Sequence, residues 1–128
     1  MIFVDTSVWI SFFRGGEHEA ALRELIVEDL VALAAPVRLE LLGGAPSSQA
    51  RRLARLLGEV TTFYPSRDSW ELAEAWTRRS AAAGQRFAVA DLLIGSLAHE
   101  RGNRVWSLDG DFERLARVTP LKLYRPDR

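Results

Sequence analysis

The sequence predicts an α/β fold, a single domain over residues 1–128 with a mainly parallel central sheet flanked by helices. Three observations lead there. Short apolar runs alternate with longer helical patterns, and strands separated by helices are joined by crossovers that leave them parallel. The strand-like runs, such as Ile2-Phe3-Val4, are continuously apolar, which suits a sheet covered on both faces and so a three-layer arrangement. A chain of 128 residues that is 48% hydrophobic has enough apolar side chain for one core and fits one domain.

The elements follow in order. Residues 1–5 read as a buried strand, 7–13 as a short helix and 17–28 as an amphipathic helix. Leu30 to Ala34 form a second strand. Ala35-Pro36 opens a helix, because proline suits a first turn, and that helix stops at Gly43-Gly44. Residues 47–57 are helical, with Leu53, Leu56 and Leu57 opposite Arg51, Arg52 and Arg55, a face whose simplest role is solvation. Val60 to Tyr64 make a third strand. Ser66 caps a long helix that Gly84 ends. An apolar helix near 88–101 follows and ends at Gly102. Arg104 to Leu108 are a fourth strand, 111–117 a helix, and Leu121 to Tyr124 a fifth strand.

Composition excludes several classes. Cysteine is absent, which removes disulfides and thiolate zinc sites. No apolar run reaches the roughly 18 residues of a membrane span. The N-terminus lacks a basic segment and a cleavage site, so the expectation is a cytoplasmic protein without a membrane. Seventeen basic and seventeen acidic residues cancel, which argues against nucleic-acid binding through bulk charge. If several acids are gathered over a cation, however, the remaining surface is net positive. All the basic residues except Lys122 are arginine.

The informative residues are acidic. Asp91 lies in Phe87-Ala88-Val89-Ala90-Asp91-Leu92-Leu93-Ile94-Gly95, an almost wholly apolar helix. A carboxylate buried there needs a partner or a metal. Asp5 ends the first strand and Asp109 closely follows the fourth, which places both at the carboxyl edge where such sheets bind ligands. Each has a plainer role: Asp5 as a helix cap, Asp109 before Gly110 as a turn residue. Asp111 reads as a first-turn acid, and Glu40, amid Leu39, Leu41 and Leu42, as an exposed acid beside Arg38. Taken together they say more. Two charges ~4 Å apart repel by roughly 4 kcal/mol at an effective dielectric of ~20. Gathered carboxylates therefore protonate or bind a cation. All-oxygen donors favour Mg²⁺ or Mn²⁺, and such a centre suits phosphodiester hydrolysis.

Val4-Asp5-Thr6-Ser7, Glu40-Leu41-Leu42-Gly43-Gly44, Ala90-Asp91-Leu92-Leu93-Ile94-Gly95 and Ser107-Leu108-Asp109-Gly110-Asp111-Phe112 resemble, in order and spacing, the four acidic motifs of PIN-domain ribonucleases. The resemblance covers essentially the whole chain and is strongest to the VapC toxins of toxin–antitoxin pairs. It implies a single PIN-like domain and a metal-dependent endoribonuclease. Asp5, Glu40, Asp91 and Asp109 would be the catalytic and metal-binding residues, supported by a hydroxyl at Thr6 or Ser7. It further implies Mg²⁺ or Mn²⁺ as cofactor, RNA as substrate, a small VapB-like antitoxin as partner, and a homodimer. Ser107 stands where many members carry threonine, and the hydroxyl is kept.

Two other readings compete. A phosphohydrolase with an aspartyl nucleophile resembling the haloacid-dehalogenase type would want Asp-x-Asp, whereas Asp5-Thr6-Ser7 lacks the second acid. A receiver-like signalling module, or a catalytically silent PIN-like one, would bind metal and partners only. A receiver would want an Asp after the third strand, which here ends in Tyr64-Pro65.

Aromatic residues raise a separate expectation. Trp9, Phe12 and Phe13 exceed what one short helix readily buries, so part of that cluster is expected at an interface with an amphipathic antitoxin helix. Trp70 and Trp76 do not closely share a face, so one is expected in the core and the other at a dimer contact. His18 and His99 are expected on solvated helix surfaces without a metal role.

Overall fold

A computed structural model describes residues 1–126. Four short strands, β1 (Ile2–Val4), β2 (Val31–Ala34), β3 (Thr61–Phe63) and β4 (Arg104–Trp106), form one parallel sheet in the order β3-β2-β1-β4. Ile2 is in register with Val31 and Arg104, and Val4 with Trp106. All four residues of β2 are buried, so helices cover both faces of the sheet, as its continuous apolar run requires.

Seven helices fill the connections among the described residues: α1 (Thr6–Phe13), α2 (Glu19–Val27), α3 (Ala35–Gly44), α4 (Ala50–Leu57), α5 (Arg67–Ala82), α6 (Val89–Glu100) and α7 (Gly110–Val118). Pro36 sits in the first turn of α3. Ser66 caps α5: its hydroxyl accepts from the Ser69 amide at 3.3 Å, and the Ser69 hydroxyl accepts from the Ser66 amide at 3.0 Å. Gly84, at φ +74°, supplies the left-handed residue beyond the end of α5.

The strand order decides where a site can form. The chain leaves β1 toward β2 and β3 on one side, while β4 lies on the other. The carboxyl ends of β1 and β4 are therefore neighbours, and the Asp5 amide donates to the Trp106 carbonyl at 2.9 Å. A crevice at such a reversal is the usual binding place in open α/β sheets. Behind it, α6 is buried from Leu92 through Ala98. A β-carbon at Gly95 would stand 3.2 Å from Trp76 Cζ3 and 3.3 Å from Leu115 Cδ2, so the bare glycine lets α5 and α7 close on α6.

Some expectations change on folding. The fifth strand shrinks to one parallel bridge, Val105 to Leu123, with Tyr124 donating to Val105 at 2.8 Å. Pro120 and Pro126 bound this segment and cannot donate to a ladder. Trp9 and Phe12 are core residues at 0% and 6% exposure, and only Phe13 stays partly open. The buried Leu22 of α2 and Arg23, whose guanidinium lies 5.3 Å from the Phe12 ring centre, supply the extra cover that a lone helix lacks. His18 and His99 are half-buried rather than solvated. They pack on Trp106 and Trp76, with ring centres 5.8 and 5.5 Å apart. Trp76 is core and Trp70 is 53% exposed, the division the sequence suggested. Among the described residues, no helix is long and apolar enough to cross a membrane.

Candidate metal centre

The end of β1 delivers Asp5 into the crevice. Asp5 occupies the cap position of α1, yet its side chain makes no capping bond. The carboxylate is instead held by two hydroxyls. Ser7 Oγ donates to Oδ2 at 2.9 Å, and Ser107 Oγ, from beyond β4, donates to the same oxygen at 2.8 Å. Both hydroxyls are fixed in turn: the Leu108 amide donates to Ser7 Oγ and the Asp109 amide to Ser107 Oγ, each at 2.9 Å. Asp5 is 7% exposed, and these bonds are what make burying its charge tolerable.

Asp109 begins α7 and is a true cap, accepting from the Asp111 amide at 3.0 Å. Its cap role and a ligand role are compatible, because a carboxylate carries about four lone-pair directions. Asp91 lies in the first turn of α6, half-buried at the helix end rather than in its apolar middle. Glu40 is on α3 and exposed. It does not pair with Arg38, which donates to Thr62 Oγ1 at 3.3 Å.

Electrostatics ties these acids together. Burial, then the charges of Asp5, Asp111, Asp109 and Glu40, push the Asp91 carboxyl up to about 7. Partial desolvation of its carboxyl and the charge of Asp5 also raise Glu40 above its ordinary value, partly offset by the nearby Thr6 hydroxyl. That hydroxyl is itself buried and short of full hydrogen-bond geometry with any partner. The four acids inferred from the sequence thus share one field, and Asp111 joins them. Among the described residues, no three acidic or imidazole side chains converge closely enough to enclose a bare ion. The donor set nonetheless fits a hard divalent cation: it is all oxygen, mutually repelling and has an unused buried hydroxyl. Such ions keep several waters and take only one or two carboxylates directly.

Two features were not visible in the sequence. The pairing of Ser7 with Ser107 on one Asp5 oxygen joins residues about a hundred positions apart, and only the serine kept at a threonine position hinted at it. Arg114 gave no signal at all. Its guanidinium bonds Asp111 Oδ1 at 2.8 Å and Gln85 Oε1 at 2.6 Å. Beside the centre lies a cleft of about 310 Å³, bordered by Thr6 and Glu40 and floored by Ile10, Phe13, Leu41 and Leu53.

A parallel sheet with acids gathered at the β1–β4 reversal defines the class, and comparison with known proteins agrees. The PIN domain family model matches residues 2–118, and the chain belongs to that family. Within it, the chain is similar to ribonuclease VapC11 of Mycobacterium tuberculosis and a VapC ribonuclease of Mycobacterium bovis. Each is 31% identical over 95% of this chain and 96% of the relative. Solved structures share the fold. FitAB bound to a DNA fragment matches with TM-score 0.80 at 21% identity, covering 100% of this chain and 96% of that one. VapC20 of Mycobacterium tuberculosis, a toxin that cleaves the sarcin–ricin loop, matches with TM-score 0.68 at 23% identity, covering 95% and 99%.

Proposed function

We propose that this protein is a metal-dependent endoribonuclease, the toxin of a VapBC-type toxin–antitoxin pair. The observation that carries the reading is the gathering of Asp5, Glu40, Asp109 and Asp111 around the half-buried Asp91, whose carboxyl burial first and then those charges raise to about 7, at the carboxyl edge of a PIN-family sheet. The likeness to VapC ribonucleases supplies the substrate class.

Asp5, Glu40, Asp91 and Asp109 would hold Mg²⁺ or Mn²⁺. When bound, the ion supplies Lewis acidity, lowering the pKa of a coordinated water and neutralising charge on a phosphate. The chain's own groups prepare the place. Ser7 and Ser107 fix one oxygen of Asp5 by donating to it together. The Asp111 amide orients Asp109. Glu40 serves as a further ligand or holds a water at its carboxylate. No histidine is needed as a base, and both histidines are occupied by packing on tryptophan.

The partner is a small VapB-like antitoxin. The cleft beside Thr6 and Glu40, with its apolar floor and Arg14 and Arg52 at its edge, suits an amphipathic segment that ends near the carboxylates. A homodimer is the assembly, and exposed Trp70 and Val89, bordering a shallow groove with Leu92 and Leu93, are its contact face. Induction of the chain alone should halt growth and leave discrete RNA fragments, and co-induction of the adjacent small open reading frame should relieve both. Unimpaired growth with intact RNA would contradict the reading.

A further inference from the structure

Of the five acids around the centre, Asp111 is the only one in an ion pair among the described residues, and its partner is Arg114. The pair alone would be worth little, because an i,i+3 bridge at a surface contributes a few tenths of a kcal/mol. The rest of the Arg114 environment makes it different. The second guanidinium nitrogen bonds Gln85 Oε1 at 2.6 Å, and Arg114 Cζ lies 4.7 Å from the centre of the Phe87 ring. Gln85 and Phe87 belong to the connector between α5 and α6. That connector is anchored at its start, where the Gln85 amide donates to the Ser80 carbonyl at 2.8 Å. It feeds directly into the first turn of α6, where Asp91 stands four residues after Phe87.

One planar cation therefore touches two elements. On one side is the α7 terminus with Asp109 and Asp111, and on the other the segment that aims Asp91. The negative ends these elements carry repel each other. A fork with two bonds and a stacked face holds an angle, which a flexible ammonium does not.

We propose that Arg114 is a positioning residue: its fork between Asp111 and Gln85, stacked on Phe87, sets the spacing of Asp91 and Asp109 for a divalent ion. It acts through those carboxylates and does not itself contact ion or RNA. Groups that orient metal ligands in this way typically change metal affinity by about 10- to 100-fold when removed.

The proposal rests on the carboxylates being a divalent-metal centre, and the test separates the two. Mn²⁺ alone is titrated calorimetrically into wild type, Arg114→Ala, Arg114→Lys, Gln85→Ala and the Arg114→Ala/Gln85→Ala double variant, with the urea midpoint of each measured without metal. Wild type binding no Mn²⁺ defeats the metal reading itself. With wild-type binding present, Arg114→Ala should weaken Mn²⁺ by about tenfold. Arg114→Lys and Gln85→Ala should each weaken it several-fold, and the double variant should bind no worse than Arg114→Ala. Gln85→Ala leaves Arg114 on Asp111, so it reports on the fork even if Arg114→Ala folds poorly. Arg114 variants that bind Mn²⁺ as wild type but raise KM for RNA would assign Arg114 to phosphate and overturn the proposal. Full rescue by Arg114→Lys would reduce it to charge neutralisation and overturn it equally.

Discussion

Ser107 Oγ donates to Asp5 Oδ2 at 2.8 Å, joining the ends of β4 and β1 across 102 residues of chain. The contact, with that from Ser7, holds one oxygen of a buried carboxylate. It also explains why a hydroxyl follows β4: the same Oγ accepts from the Asp109 amide at 2.9 Å, so one atom organises two acids. Ser107→Ala should lower RNA cleavage by at least about tenfold, and should destabilise by about 1–3 kcal/mol because the buried Asp5 loses one of its two hydroxyl donors. Ser107→Thr should retain most activity. Equal activity of alanine and serine at this position, in an assay of initial rates, would count against the role.

The pH dependence of stability follows from Asp91. Its carboxyl takes up a proton near pH 7 in the folded chain but near 3.8 once unfolded. Because the folded pKa is the higher one, the proton favours the folded state, and that contribution is complete below about pH 4 and lost as pH rises through about 7. Without metal, the urea midpoint should therefore be higher at about pH 5.5 than at about pH 8, and Asp91→Asn should flatten that slope. Asp91→Asn should also be more stable than wild type at about pH 8 in EDTA, since a repelling charge is gone. A midpoint that rises with pH and is indifferent to Asp91→Asn would show that the acids do not share a field.

Trp9 and Phe13 should part company under mutation. Trp9 is fully buried, and Trp9→Ala should destabilise by about 3–5 kcal/mol. Phe13 lines the cleft, so Phe13→Ala should leave the fold in place and weaken an antitoxin complex by on the order of 2 kcal/mol. Titration of purified partner against both variants, alongside urea melts, checks this. Undiminished partner affinity in a folded Phe13→Ala protein would move the interface away from the cleft.

Trp70 tests the assembly. Its ring is 53% exposed beside Val89, which is 62% exposed. Trp70→Glu should shift the protein from dimer to monomer in sedimentation velocity while leaving its urea midpoint nearly unchanged. A dimer of undiminished strength would place the contact on another face.

Much of this architecture was legible because periodicity and punctuation are local. Pro36, Ser66, Gly84 and Gly102 each mark a helix boundary through their own backbone chemistry. Asp5 and Asp109 announced themselves by following apolar strands, and Asp91 by its apolar neighbours. Contacts across the chain were not legible. Whether Trp9 is buried depends on α2 folding over α1. Ser107 reaches Asp5, and Arg114 reaches Gln85, only because β4 lies beside β1 and α7 beside the α5–α6 connector. The reading of α6 as buried all round also hid that Asp91 sits in its first turn, at the rim of the crevice.

The central claim is that the acids around Asp91 bind a divalent ion and cut RNA with it. The direct test is the initial rate of cleavage of a structured RNA by purified protein as Mn²⁺ is raised from an EDTA-treated baseline, for wild type and Asp91→Asn side by side. Wild type should be inactive in EDTA and rise to a plateau with Mn²⁺, while Asp91→Asn, folded and at least as stable without metal, should stay at least about a thousandfold slower, a loss of ~4 kcal/mol of transition-state stabilisation. Cleavage by wild type in EDTA, or by Asp91→Asn at the wild-type rate, would contradict the account.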